Sequence, residues 1–405
     1  MRQQFYSTLF SFNGDSFQYG FTNPFTKRAR LPRVVTRYGG KGNFYMDYEP
    51  YVYDIAKKIK AKNFIDFFGG GGTMSMMALL MYDYDTAEPL FENVIYNDLD
   101  ISTYCTFKTV KCESTCDELV EKILTEATYD EQTFRKAHKN IALINVSIEH
   151  LLEDENYLKD ASKTEFEKLK KEVQLQGDYY DEIMSAEYKN YKSKSYREQA
   201  EMLQEAGKKR RNDMSEMDIA YYAFVENALS FNGAGCGFRN TDNYERNNVD
   251  YEKKMYLRAR KLMSISPLLE RLTPVCGSYE NLLNDNKIKS ELDRSVLFFD
   301  PPYMSIERSS ATDIYKHEMS DDEHRHLIND YLKKLNHWLL CGYKQDEQDG
   351  DKLPDALVDA ERSRVYGVLR EFPNVEFIDL GAKARPSSSK AIGEVAPHEI
   401  LWLRP

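Results

Sequence analysis

β-Branched, aromatic and leucine side chains dominate three short stretches, 64–68, 94–96 and 296–299, with Asp66 the one charged residue among them. A strand covered on both faces needs apolar residues on both, so these runs predict buried strands of a parallel sheet. The first leads directly into Gly69-Gly70-Gly71-Gly72 and then into the apolar Thr73-Met74-Ser75-Met76-Met77-Ala78-Leu79-Leu80. Strand, glycine turn and helix in that order open a nucleotide-type α/β fold.

From 113 to about 220 the texture changes to Glu- and Lys-rich sequence with apolar residues at helical spacing, which predicts a helical insertion. Its most distinctive part is 145–215. Alternation resumes after Arg294 with the 296–299 run, a helix over 321–335, and strands over 337–341, 375–380 and 398–403. Ser320 and Glu323 at the start of that helix fit a capping box. The chain therefore divides into 1–112, a helical 113–272, and 273–405, with one catalytic α/β fold split by the middle segment.

A length of 405 residues suits such a two-part plan, and 41% apolar with 30% charged residues indicates a soluble globular protein. No apolar run approaches a membrane span, and the first residues lack a basic segment followed by a long apolar one, so a cytoplasmic protein is expected. Six scattered cysteines are expected as thiols. Cys112 and Cys116, the close pair, read as helix-face thiols, and no metal site is expected.

The net charge of −11 confines any nucleic-acid contact to local basic stretches. One is Lys27, Arg28, Arg30, Arg33 and Arg37. The other is Lys189, Lys192, Lys194 and Arg197 with Lys208, Lys209, Arg210 and Arg211, interleaved with Tyr179, Tyr180, Tyr188, Tyr191 and Tyr196. Basic and aromatic residues together suit phosphate and base contacts. A helical hairpin that completes the fold or dimerises fits the second stretch equally well.

Three short motifs carry candidate chemistry. Asp66 to Gly72 ends a strand in an acid and a run of glycines, letting the backbone turn closely around a ligand. Asn97-Asp98 ends the next strand, where a carboxylate can accept from ribose hydroxyls or cap a helix. Asp300-Pro301-Pro302-Tyr303 directly follows the 296–299 run, at the sheet edge where ligands bind. A carboxylate and the carbonyl of Pro301, held rigid by consecutive prolines, can accept both hydrogens of a planar amino group. Tyr303 can stack on a base taken out of the duplex, or pack in the core.

In this order the motifs resemble the Dam-like N6-adenine DNA methyltransferases, including versions from phages and mobile elements. Tyr38-Gly39-Gly40-Lys41 is similar to that family's N-terminal cofactor motif, Asp66 to Gly72 to its glycine motif, Asn97-Asp98 to its ribose motif and Asp300 to Tyr303 to its catalytic motif. Ser230-Phe231-Asn232-Gly233 before Arg239-Asn240, and Tyr315 to Met319, are similar to its substrate-side segments. Tyr279 resembles the position beside the cofactor's adenine. Arg37 stands where many relatives have an aromatic residue, and the insertion is longer than in compact members.

The resemblance implies a Rossmann-like S-adenosylmethionine-dependent sheet with an inserted helical target-recognition domain. It implies methylation of adenine N6 in a short duplex DNA sequence by base flipping. Asp300, Pro301, Pro302 and Tyr303 are the catalytic candidates. Tyr38, Gly40, Lys41, Asp66, Phe68, Gly70, Gly72, Asp98, Tyr279 and Asp300 are the candidates for binding S-adenosylmethionine. Asn232, Arg239, Lys192, Lys194, Arg197, Lys208 and Arg210 are the candidates for double-stranded DNA. A restriction endonuclease is a candidate partner, and the oligomeric state is left open. The competing readings are cytosine N4 or RNA adenine as acceptor, and a catalytically silent DNA-binding relative.

Overall fold

The computed structural model describes residues 31–36, 41, 45–175, 177–230, 235, 237–239, 250–302, 319–343, 365–382 and 398–405. Its strands are β1 (Asn63–Asp66), β2 (Asn93–Asp98), β3 (Leu272–Cys276), β4 (Ser295–Phe299), β5 (Trp338–Tyr343), β6 (Glu376–Ala382) and β7 (His398–Arg404). They form one seven-stranded sheet in the order β3-β2-β1-β4-β5-β7-β6. The first five run parallel, and β7 is antiparallel to both its neighbours.

Alternate residues of the central strands enter different layers. Phe64, Val296 and Phe298 face one core and Ile65, Leu297 and Phe299 the other, which is why apolar residues stand on both faces of these strands. The first layer is covered by helices α1 (Tyr45–Ile59), α2 (Thr73–Leu80), α3 (Ile101–Lys111) and α4 (Glu113–Glu126), and by the start of α5 (Glu131–Ile144). The second is covered by later helices and by the 365–372 segment.

The 113–272 segment packs in two ways. Phe134 and Ala137 of α5, with Tyr221, Phe224 and Val225 of Glu216–Leu229 and Met255, Ala259 and Leu262 of Tyr251–Ile265, join the main core over the sheet. Residues from Ala142 to Ala206 instead enclose a separate core around Phe166, Leu169, Tyr180, Met184 and Leu203. The narrower 145–215 stretch contains most of that second core.

Three local features depart from the sequence expectation. Strand β3 was not foreseen: it lies at the sheet edge, is only partly buried and carries Pro274, which an edge strand tolerates because it need not donate on both sides. The 321–335 helix has the expected capping box, but after Asp321–His326 it widens into a π-helix over Leu327–Leu332. Leu327, Ile328 and Leu332 are buried along it, and the Leu332 carbonyl accepts from Trp338 Nε1 at 3.0 Å. Cys116 is buried within α4, whereas Cys112 sits exposed at the α3–α4 junction rather than on a helix face.

Candidate active site

The sheet places β1 between β2 and β4, so crossovers leave in opposite directions around β1 and β4, and their carboxyl ends open a crevice. Asp66 lies level with Phe298, and Asp300 follows two residues beyond that level, just past the end of β4. Backbone bonds set the rim: Phe67 N donates to Phe298 O at 3.0 Å and Gly69 N to Asn97 O at 2.7 Å. Three acids, Asp66, Asp98 and Asp300, meet at this edge, close enough to act on one another electrostatically.

The glycine turn closes on itself through Gly72 N to Gly69 O at 2.7 Å. Gly70 and Gly72 have φ of 49° and 71°, in the left-handed region that favours glycine. A Cβ on Gly72 would strike the Phe107 ring at 2.3 Å, whereas one on Gly70 would meet nothing nearer than Phe68 O at 3.9 Å. The turn is therefore packed from behind and leaves room at Gly70 for a ligand.

Asp98 Oδ2 accepts from Gly70 N at 2.6 Å and its Oδ1 from Asp100 N at 2.8 Å, so the carboxylate ties β2 to the glycine turn. Capping of α3 falls to Asp100, which accepts from Ser102 N, and not to Asn97 or Asp98. Asn97 instead donates to the carbonyls of Phe67 at 3.0 Å and Gly277 at 2.9 Å, linking three strand ends. Beside Gly277, Tyr279 packs against Phe68 with ring centroids 5.5 Å apart.

Asp66 is buried, and burial, with Asp300 and Asp98 nearby, pushes its carboxyl up to about 7 against the opposing hydrogen bond from Ser75 Oγ at 2.8 Å. Lys41 is also buried, yet Asp300 and Glu399 outweigh the desolvation and hold it as an ammonium. Its Nζ lies 3.1 Å from Asp300 Oδ1 and 2.7 Å from Glu399 Oε1. Asp300 keeps 20% of its side chain exposed while Lys41 and Glu399 keep 4% and 3%, so Asp300 is the accessible end of the cluster. Pro301 is buried and Pro302 half-buried.

The sheet edge thus gathers Lys41, Asp66, Phe68, Gly70, Gly72, Asp98, Tyr279 and Asp300 from segments spread over most of the chain. Tyr38, Gly40, Tyr303 and Asn232 lie outside the described residues. The DNA-side candidates are placed elsewhere. Lys192 pairs with Asp181, Lys194 with Glu198 and Lys208 with Glu149, all on the surface of the second core. Arg197 donates to the carbonyls of Leu152 and Asp154, both at 2.6 Å, and Arg210 to Asn140 Oδ1 at 2.8 Å. Tyr180 and Tyr191 are buried in that core. Arg239 lies over the Tyr251 ring, next to the Ser230–Phe238 bridge.

Sequence reasoning missed two residues. Glu399 was seen only as part of a strand, although an acid beside the apolar Ile400-Leu401-Trp402-Leu403 was a signal. Arg258 lies near Arg33 and Arg239, and burial together with these two like charges lowers its guanidinium to about 10. It stacks over Phe224 at 5.4 Å and donates to Asn227, which also bonds the backbone of Thr36. No local charge count reveals a cluster drawn from positions so far apart.

A parallel sheet with this switch point, a glycine turn, a ribose-type acid and an Asp-Pro-Pro edge define a nucleotide-type methyltransferase fold. The family model of the D12 class N6 adenine-specific DNA methyltransferases matches residues 50–345, and the chain belongs to that family. It is an adenine-specific DNA methyltransferase that uses S-adenosylmethionine as methyl donor. No curated protein matches it significantly. Among the described residues, no helix is long and apolar enough to cross a membrane.

Proposed function

We propose that Asp300 and the carbonyl of Pro301 accept the two amino hydrogens of an adenine turned out of duplex DNA, and that Tyr303 stacks on its ring. The amino nitrogen is a poor nucleophile because its lone pair is delocalised into the ring. Two acceptors fixed before the reaction localise that pair on nitrogen without reorganising. The observation that carries the reading is the position of Asp300 at the mouth of the crevice, anchored from behind by Lys41 at 3.1 Å.

The residues present fit the cofactor. Space at Gly70 admits a ligand against the backbone, Asp98 suits ribose hydroxyls, and the Phe68–Tyr279 ring pair suits an adenine face. Asp66 and Asp300 bring acidic groups to where a cation would sit. S-adenosylmethionine, when bound, supplies an electrophilic methyl on a positively charged sulfur.

On the DNA side, the two kinds of basic residue in the insertion have different uses. Arg197 and Arg210 hold the insertion together through carbonyl and amide acceptors. Lys192, Lys194 and Lys208 sit in exposed pairs, which contribute little, so each can exchange its carboxylate for a phosphate. Arg239, with Arg33 and Arg258 close by, supplies positive charge beside the Ser230–Phe238 bridge. The expected setting is the cytoplasm of a bacterial or phage-infected cell, with a restriction endonuclease as partner; the family resemblance supports it.

Methylation-sensitive sequencing of host DNA with and without the gene gives base, position and context together. Placing 2-aminopurine at the target position then reads base flipping: a rise in fluorescence on binding supports it, and an unchanged signal on a bound duplex whose adenine counterpart is methylated excludes it.

A further inference from the structure

Glu399 is a buried carboxylate that methyl transfer, as described, does not use. It stands near the start of β7, paired in register with Tyr343 of β5, and its side chain turns into the layer that holds α1. Its Oε1 accepts from Lys41 Nζ at 2.7 Å and from Tyr48 OH at 2.5 Å. Tyr48 is fully buried, with its ring edge against Phe298 of the strand that leads into Asp300. Lys41 thus lies between two carboxylates, one at the crevice and one in the core.

An isolated carboxylate in the core would be strongly unfavourable, and a simple Lys–Asp pair would need no second acid. The second acid has two physical effects. It fixes the ammonium from behind, where a lysine held only by Asp300 keeps the freedom of a long flexible stem. It also leaves Lys41, Asp300 and Glu399 with a net charge of −1, which favours a cationic ligand at the sheet edge.

We propose that Glu399, supported by Tyr48, is a positioning residue for methyl transfer: it holds the Lys41 ammonium in the place from which it orients Asp300. This rests on the reading that Asp300 orients the target amine. The consequence is that Glu399 acts only through Lys41, since Asp300 already accepts from the same ammonium.

The test uses the full chain, with kcat and KM for DNA methylation, cofactor affinity by calorimetry and thermal unfolding. Glu399→Gln keeps the shape and removes the charge. It should lower kcat on the order of 10- to 100-fold, a loss typical of a slightly misplaced group, with a smaller change in cofactor affinity. Glu399→Asp should recover part of kcat. Lys41→Met removes the ammonium between two carboxylates, so the double variant Lys41→Met with Glu399→Gln should melt higher than Lys41→Met alone. Its kcat should be no lower than that of Lys41→Met, because the two residues act as one unit.

Wild-type kcat in Glu399→Gln, losses that multiply in the double variant, or a double variant no more stable than Lys41→Met would each overturn the proposal. If the wild type fails to methylate adenine, the reading of Asp300 itself is at fault. If the wild type methylates adenine and Glu399→Gln does so equally well, only the role of Glu399 is lost.

Discussion

The sheet edge and the helical insertion contain the same kinds of residue, lysine, acid and tyrosine, in opposite arrangements. At the edge, Lys41, Asp66 and Glu399 are buried, Lys41 lies between Asp300 and Glu399, and Asp300 is more exposed than these three. In the insertion, Lys192, Lys194 and Lys208 are exposed and paired on the surface, while buried Tyr180 and Tyr191 serve a core of their own. Charge taken out of water in the first region is fixed in direction and raises or holds protonation states. Charge left in water in the second is mobile and available for exchange. The difference separates charge buried and fixed at the sheet edge from charge exposed and paired on the insertion.

The largest effect should come from the accessible end of the buried cluster. Asp300→Ala should reduce methyl transfer on the order of 10²- to 10³-fold, the loss seen when one fixed polar contact to a reacting group is removed. Its melting temperature should stay near that of the wild type, because Lys41 keeps Glu399 as a partner. A collapse in stability would mean that the edge is held together through Asp300 and that the division drawn here is wrong.

Next comes the split within the insertion. Arg197→Ala removes charged hydrogen bonds to carbonyls that lose their donor, and should destabilise the chain by about 1–3 kcal/mol in denaturant titration. Its effect on the salt dependence of DNA binding should be small. Lys208→Ala should behave in the reverse way, changing stability by less than about 0.5 kcal/mol and lowering the slope of log affinity against log salt by about 1. If both variants alter only DNA binding, the insertion is a recognition surface throughout. If both alter only stability, it completes the fold.

The smallest expected effect is a pH dependence. The Asp66 carboxyl is raised to about 7 in the folded state, while in the unfolded chain it titrates near the ordinary value of about 4. Between these values the folded state holds a proton that the unfolded state has lost, so this contribution is full below about 4 and disappears as pH rises through about 7. The melting temperature should therefore fall from about pH 5 to 7 and level off above it, and Asp66→Asn should flatten that fall.

Much of this was legible in the sequence because each element carried its own local pattern. Apolar runs marked β1, β2 and β4, glycines marked the turn, and Ser320 with Glu323 marked a helix start. Strand β3 was not legible, since an edge strand with a proline and partial burial lacks the apolar run. Glu399 and Arg258 were hidden for another reason: their meaning lies in partners more than 200 positions away, Lys41 for one and Arg33 for the other. The insertion's basic run was visible, but its division into structural arginines and exposed lysines depends on which acceptors the fold brings to each.

The most direct test is to incubate the wild type and Asp300→Ala with duplex DNA and labelled S-adenosylmethionine, then digest to nucleosides and separate them. The account predicts label in N6-methyldeoxyadenosine for the wild type and loss of nearly all of it in the variant, with both proteins folded. Label on cytosine, or undiminished adenine methylation by Asp300→Ala, would contradict it.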